Sequence, residues 1–91
     1  MSVLVVVSVM DRAVGAFGRP LFVPSVGVAL RSFQDEINRQ AADNQMAQHP
    51  EDFDLYELCM FDEETGRFEE STCRILARGK EVVIMRDKGN A

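Results

Sequence analysis

The sequence predicts an α+β fold: a small antiparallel-rich sheet in the order β-β-α-β-β, with room for a fifth strand, and one main helix packed on one face. Three observations carry this. Val3 to Met10 is nearly all apolar and rich in valine. β-Branched residues suit a pleated sheet, and a run without alternation implies burial on both faces, so this is a central strand. Val26, Leu30, Phe33 and Ile37 recur at spacings of four, three and four, which is one face of a helix. Finally, "DFDLYELCMF", "DEETG" and "RFEES" read as strand, tight turn and strand.

The elements follow in order. After the first strand, "DRAVGAFG" holds a charged pair and two glycines, so the chain turns or bulges there. "RPLFVP" reads as a second strand. Pro20 cannot donate a ladder hydrogen bond, which places that strand at a sheet edge or opens it with a bulge. Ser25 suits the N-cap of the helix, which is expected to run to about Ala42 with Arg31, Gln34, Asp35 and Asn38 on its polar side. Gly27 lowers helix stability by roughly 1 kcal/mol relative to alanine, and close backbone approach is the expected reason for it. "DNQMAQHP" reads as a polar connection.

In the next strand, strict alternation groups Phe53, Leu55, Glu57, Cys59 and Phe61 on one side and Tyr56, Leu58 and Met60 on the other. Gly66 suits a left-handed position in the hairpin turn. "CRILARGK" is ambiguous, with a short helical turn ended by Gly79 as one reading. "EVVIMR" reads as a last strand. The chain carries no internal repeat. Residues 1–91 are expected to form one domain, with about 87–91 a frayed tail.

Composition narrows the class. A chain of 91 residues with 46% hydrophobic and 27% charged residues reads as globular. At this size only roughly 60–65% of the unfolded surface is buried, so oligomerisation is an expected source of stability. No apolar run approaches the ~20 residues of a membrane span. "MSVLVVVSVMDR" lacks a basic residue ahead of its apolar run and a small-residue cleavage site, so it reads as a strand of a soluble protein rather than a signal peptide. Cys59 and Cys73 read as two reduced thiols packed as small hydrophobes.

Catalytic and metal patterns are missing. His49 stands in a polar loop with no nucleophile nominated beside it. Glycines 15, 18 and 27 match neither the phosphate-loop nor the dinucleotide spacing. Asp62, Glu63, Glu64, Glu69 and Glu70 cluster across the hairpin without the EF-hand pattern, and read as a solvated acidic face. The expectation is a protein that is not an enzyme, with no metal and no cofactor.

Charge points to partners. The net charge is −5, unevenly placed. Residues 1–34 carry +2, residues 35–72 carry −10, and residues 73–91 carry +3. Proteins that hold single strands combine aromatic faces that stack on bases with basic residues that track phosphates. Phe17 and Phe22 alternate with Arg12, Arg19 and Arg31 around a helix start. Arg74, Arg78 and Lys80 are further phosphate partners if the two basic ends converge. Core packing claims most phenylalanines in so small a chain, Phe33 above all; Phe17, in a turn region, is the one expected to be exposed.

The ordered segments "AFGRPLFVPSVGVALRSFQDEIN", "HPEDFDLYELCMFDEETGRFE" and "ILARG" resemble the small non-structural protein of gokushoviruses, single-stranded DNA phages of the Microviridae. The shared pattern is an aromatic and proline-rich strand ending in Pro24, a helix carrying Arg31-Ser32-Phe33, His49-Pro50-Glu51-Asp52 before an alternating strand, and an acidic Thr65-Gly66 hairpin. The resemblance covers most of residues 10–79. It implies a DNA-binding role in phage genome replication or single-strand synthesis, in the bacterial host cytoplasm. It carries over no residue roles; those come from side-chain chemistry alone. A charge of −5 departs from a simple DNA-coating protein and favours a modest binder that gains avidity as a homo-oligomer. The alternative is an acidic protein-interaction module that uses Glu63, Glu64, Glu69 and Glu70 to dock the phage initiator, a host replication protein or an assembly protein.

Overall fold

Val3–Asp11 forms β1, and its length and valine content set up everything else. The structure is a computed structural model that describes residues 2–69 and 72–84. β1 pairs along its whole length with β4 (Phe53–Asp62), from Val3 opposite Asp62 to Asp11 opposite Phe53. Each of these long strands carries a hairpin partner broken in two. β2 (Ala16–Phe17) and β3 (Leu21–Val23) flank β1; β5 (Arg67–Glu69) and β6 (Arg74–Arg78) flank β4. All pairings are antiparallel, giving a six-stranded sheet. The helix α1 (Val26–Asn38) links the two hairpins, and a short α2 (Gln45–Gln48) follows it.

The α+β class with one main helix is observed, but the strand order differs from the expected β-β-α-β-β. The segment expected to turn or bulge contains β2. The gap before β3 is fastened to β1: the Gly18 N–H donates to the Val9 carbonyl at 2.8 Å, and the Ser8 hydroxyl donates to the Gly18 carbonyl at 2.7 Å. Pro20 sits in that gap, where no ladder donor is needed. "RILAR" is a strand, β6, rather than a helical turn, because β4 offers it a free edge. "EVVIMR" does not begin a last strand. Gly79–Glu81 is a 3-10 turn, and Asn38 holds the chain beyond it through the Val82 carbonyl (3.0 Å) and the Ile84 N–H (2.8 Å). Met85, Arg86 and the expected tail lie outside the described residues.

Both hairpins close with the same five-residue turn, Asp-x-x-x-Gly. In Asp11–Gly15 the aspartate Oδ1 accepts from the Ala13 N–H (3.0 Å), and the Gly15 N–H donates to the Asp11 carbonyl (2.8 Å). In Asp62–Gly66 the Glu64 N–H (2.9 Å) and Gly66 N–H (2.7 Å) do the same. The two glycines have φ of 79° and 75°, which L side chains rarely adopt. Asp11 pairs with Ala16 and Asp62 with Arg67, so the registers also match. A structural repeat therefore exists where the sequence suggested none; only the turn residues encode it.

A bulge decides the sheet's two faces. Val6 faces Cys59 while Val7 faces Glu57, so Leu58 is an extra residue in β4. Its carbonyl accepts from the Thr72 and Cys73 N–H groups at 3.0 and 3.3 Å. Strict alternation put Cys59 and Phe61 with Leu55; the bulge instead moves them onto the face of Asp54 and Tyr56. Met60 joins Phe53, Leu55 and Glu57.

The core lies between α1 and the face built by Val5, Val7, Val9 and Leu55. Ala29, Phe33 and Ile37 are buried against it, and Val26 and Leu30 pack at its rim. Ser25 caps α1 by accepting from the Val28 N–H at 3.3 Å. Ser25→Ala is expected to lower stability by about 1 kcal/mol, read as a fall in the urea midpoint with an unchanged m value.

The helix stops at Asn38, short of the expected Ala42. Buried Asn44 takes the Glu36 and Arg39 carbonyls through its Nδ2 (both 2.8 Å) while its Oδ1 caps α2 at the Met46 N–H (3.1 Å). It ends one helix and starts the next inside what read as a loop. On the surface, Arg39 chelates Glu36 at 3.0 and 2.8 Å, and that hydrogen bond lowers the Glu36 pKa. The folded pKa is depressed, so the pair's small contribution is present above the unfolded carboxylate value of about 4.5 and fades as pH falls through the lower folded value. Gly27 makes no close approach: a Cβ there would meet only the Ser25 Oγ at 3.9 Å.

Candidate functional site

α1 covers one face of the sheet. On the other, cross-strand partners place Leu4, Val6, Ser8 and Met10 of β1 beside Asp54, Tyr56, Cys59 and Phe61 of β4. Phe17, Phe22 and Phe68 join them from β2, β3 and β5, opposite Met10, Val6 and Phe61. No element covers this face among the described residues. Five aromatic rings form its outer layer. Phe17 meets Tyr56 edge-on at 5.3 Å between centroids. Phe22, Phe61 and Phe68 form a cluster with centroids 4.9–6.1 Å apart. Phe17, Phe22 and Phe68 remain 40%, 48% and 62% exposed, while Val6 and Ser8 below them are buried. An antiparallel sheet with one face solvated normally carries polar residues there. This one carries rings.

The rings end at a charged group. Asp54 is 1% exposed and takes two guanidiniums on its Oδ2, Arg12 Nε at 3.4 Å and Arg78 at 3.5 Å. Arg12 is held further by the Glu51 carbonyl. Oδ1 of Asp54 is buried with no hydrogen-bond partner among the described residues. Two arginines on one carboxylate leave one positive charge, and both side chains are only half-buried. Their orientation is fixed while their outer N–H groups still reach solvent, an arrangement suited to a phosphate.

The structure thus brings together Arg12, Phe17, Phe22 and Arg78 from distant parts of the chain. Arg19 lies at the adjoining edge, in the exposed gap between β2 and β3, without an ion pair among the described residues. Arg31 does not join them: it points outward from α1, with the sheet between it and the rings. Arg74 also faces the helix side, where it pairs with buried Glu57 at 2.9 Å alongside the Thr72 hydroxyl (3.2 Å). Lys80 is exposed on the 3-10 turn beside the end of α1. Tyr56, Phe61, Phe68 and Asp54 were not singled out by sequence. The repeated turn was the available signal, since Phe17 and Phe68 each lie six residues after the turn's aspartate.

Glu63, Glu64 and Glu69 surround the other hairpin tip, exposed, at the end of the sheet away from Asp54. The Glu63 carboxylate accepts from the Ser2 hydroxyl, and the Glu63 N–H donates to the Ser2 carbonyl (2.9 Å). Glu70 lies outside the described residues. One group among the described residues could hold a metal: His49, Glu51 and Asp52 have ligand atoms within 4.8 Å of one another. Both His49 and Glu51 are more than half exposed, so water competes for any ion there. An apolar recess of about 330 Å³ opens between α1, α2 and β3, with Ser32 and Glu36 its polar lining. Among the described residues, no helix is long and apolar enough to cross a membrane.

A family model described as Phage ORF5 protein matches residues 4–82. No curated protein and no solved structure matches the chain. The match runs from the first residues of β1 to the chain just after the last 3-10 turn, and so spans both hairpins, the helix and the ring-bearing face; the chain belongs to the phage ORF5 protein family.

Proposed function

We propose that this phage protein binds single-stranded DNA on the uncovered sheet face, as a non-enzymatic factor in the genome replication or single-strand synthesis of a gokushovirus-type phage, in the host cytoplasm. The observation that carries the reading is the ring layer. Three partly exposed phenylalanines stand on a rigid sheet, beside two arginines oriented by a buried carboxylate. Bases stack on aromatic faces whatever their sequence, while guanidiniums hold the backbone. The recognition is of strand and stacking rather than of base edges. With net charge −5, affinity rests on few phosphate contacts.

A titration of labelled oligothymidylate, followed by anisotropy at 50 and 200 mM salt, tests this. Two to three phosphate contacts give a log–log salt slope of about −1.4 to −2.1 for a single strand, so affinity is expected to fall roughly 7- to 18-fold between the two salts. Arg12→Ala with Arg19→Ala flattens that slope; Arg31→Ala, on the other face, leaves it unchanged. No binding at 50 mM salt rejects the proposal. The acidic-module alternative rests on the Glu63, Glu64 and Glu69 tip, and predicts capture of a basic phage or host replication protein that charge reversal at these positions abolishes.

A further inference from the structure

The uncovered face has a polarity along its strands. One end carries the Arg12 turn with Arg78 behind it; the other carries the Glu63–Glu64 turn. These ends are the two copies of the same Asp-x-x-x-Gly turn, alike in backbone and different in charge: Asp62–Gly66 carries −3, while Asp11–Gly15 is neutral and sets the half-exposed Arg12 guanidinium near that of Arg78. Between them, a fully exposed ring offers ~200 Å², so Phe17, Phe22 and Phe68 together leave roughly 300 Å² of ring surface open. That is about the size of the largest apolar patch on a typical monomer, which is often functional.

We infer that this face also binds a second copy of itself, as a two-fold dimer with the strands of the two sheets antiparallel. A two-fold axis lying between the sheets and across the strands sets the Arg12 turn of one copy over the Glu63 turn of the other. Symmetry makes that contact twice. Phe17 and Tyr56 of each copy then lie over the Phe22, Phe61 and Phe68 cluster of the other, at the ~10 Å spacing of packed sheets. The parallel arrangement would put acidic tip against acidic tip, so charge selects one geometry. Within the dimer, carboxylates occupy the guanidiniums that would otherwise take phosphates, and rings cover the rings that would take bases. The second copy and the single strand therefore compete. This last clause rests on the proposed strand binding; the dimer itself does not.

Sedimentation velocity on the full chain without nucleic acid tests the dimer, from 1 to 200 μM at 50 and 500 mM salt. A dimer is expected that weakens about tenfold at high salt. Phe68→Lys, at an exposed position that leaves the circular dichroism unchanged, gives a monomer. Glu63→Lys with Glu64→Lys weakens association at least tenfold, and Arg31→Glu does not. In a mixed-label sample, an intermolecular contact between the Val14 and Thr65 methyl groups fixes the antiparallel geometry. A monomer at 200 μM overturns the inference, as does a Val14–Val14 contact. Oligothymidylate added to the dimer is expected to yield monomer–strand complexes. A dimer that persists with strand bound overturns the competition. Failure of the strand to bind at all overturns only the proposed function, because the dimer measurements contain no DNA.

Discussion

Gly79→Ala is expected to lower the melting temperature by roughly 12–24 °C, followed by circular dichroism. Gly79 ends β6 where the 3-10 turn packs against the start of β4 and the end of α1. A Cβ there would drive into the Pro50 carbonyl oxygen and lie 2.6 Å from the Phe53 carbonyl oxygen and 3.0 Å from Ile37 Cδ1. Two of those atoms are backbone and cannot rotate away. Overpacking of this kind costs about 3 kcal/mol, and in a domain this small each kcal/mol shifts melting by roughly 4–8 °C. The contrast is Gly27→Ala. That position has open space and helical neighbours, so the same substitution is expected to stabilise by about 0.5–1 kcal/mol. Equal melting of the Gly79 variant and the native chain would mean that the turn does not pack as described.

The second large effect falls on binding. Phe17→Ala with Phe68→Ala is expected to weaken oligothymidylate binding at least 30-fold, with little change in stability. Each stacked base contributes about 1–3 kcal/mol by alanine substitution, so two rings lose at least 2 kcal/mol. Both rings are substantially exposed, which is why the fold tolerates their removal. Phe33→Ala shows the opposite pattern: it empties the core under α1 and costs about 3–5 kcal/mol of stability. A Phe17 and Phe68 double variant that binds normally would remove the rings from the interface.

Much of this fold was legible in the chain. Valine density marked β1 as central, the four-three-four spacing marked α1, and Ser25 marked its start, because each signal is local. What was not legible depends on partners far away in sequence. Leu58 is a bulge only because β1 and the returning Thr72–Cys73 segment fix the register on either side of it. Strict alternation therefore misassigned Cys59 and Phe61, and with them one of the five rings. Asn44 reads as a loop residue until the α1 carbonyls it caps are in place. The candidate site divides in the same way. Arg12 and Arg78 converge through a buried aspartate that sequence gave no reason to choose. Arg31 neighbours Phe22 in the chain but lies on the opposite side of the sheet, because the helix turns it away.

Binding on the uncovered face is tested most directly by amide and aromatic chemical-shift mapping of the labelled protein during an oligothymidylate titration. Shifts are expected at Arg12, Phe17, Phe22, Tyr56, Phe68 and Arg78, with Ala29, Arg31 and Gln34 of α1 unmoved. Saturable shifts centred on α1 with the ring face silent, or no shifts at all at low salt, would contradict it.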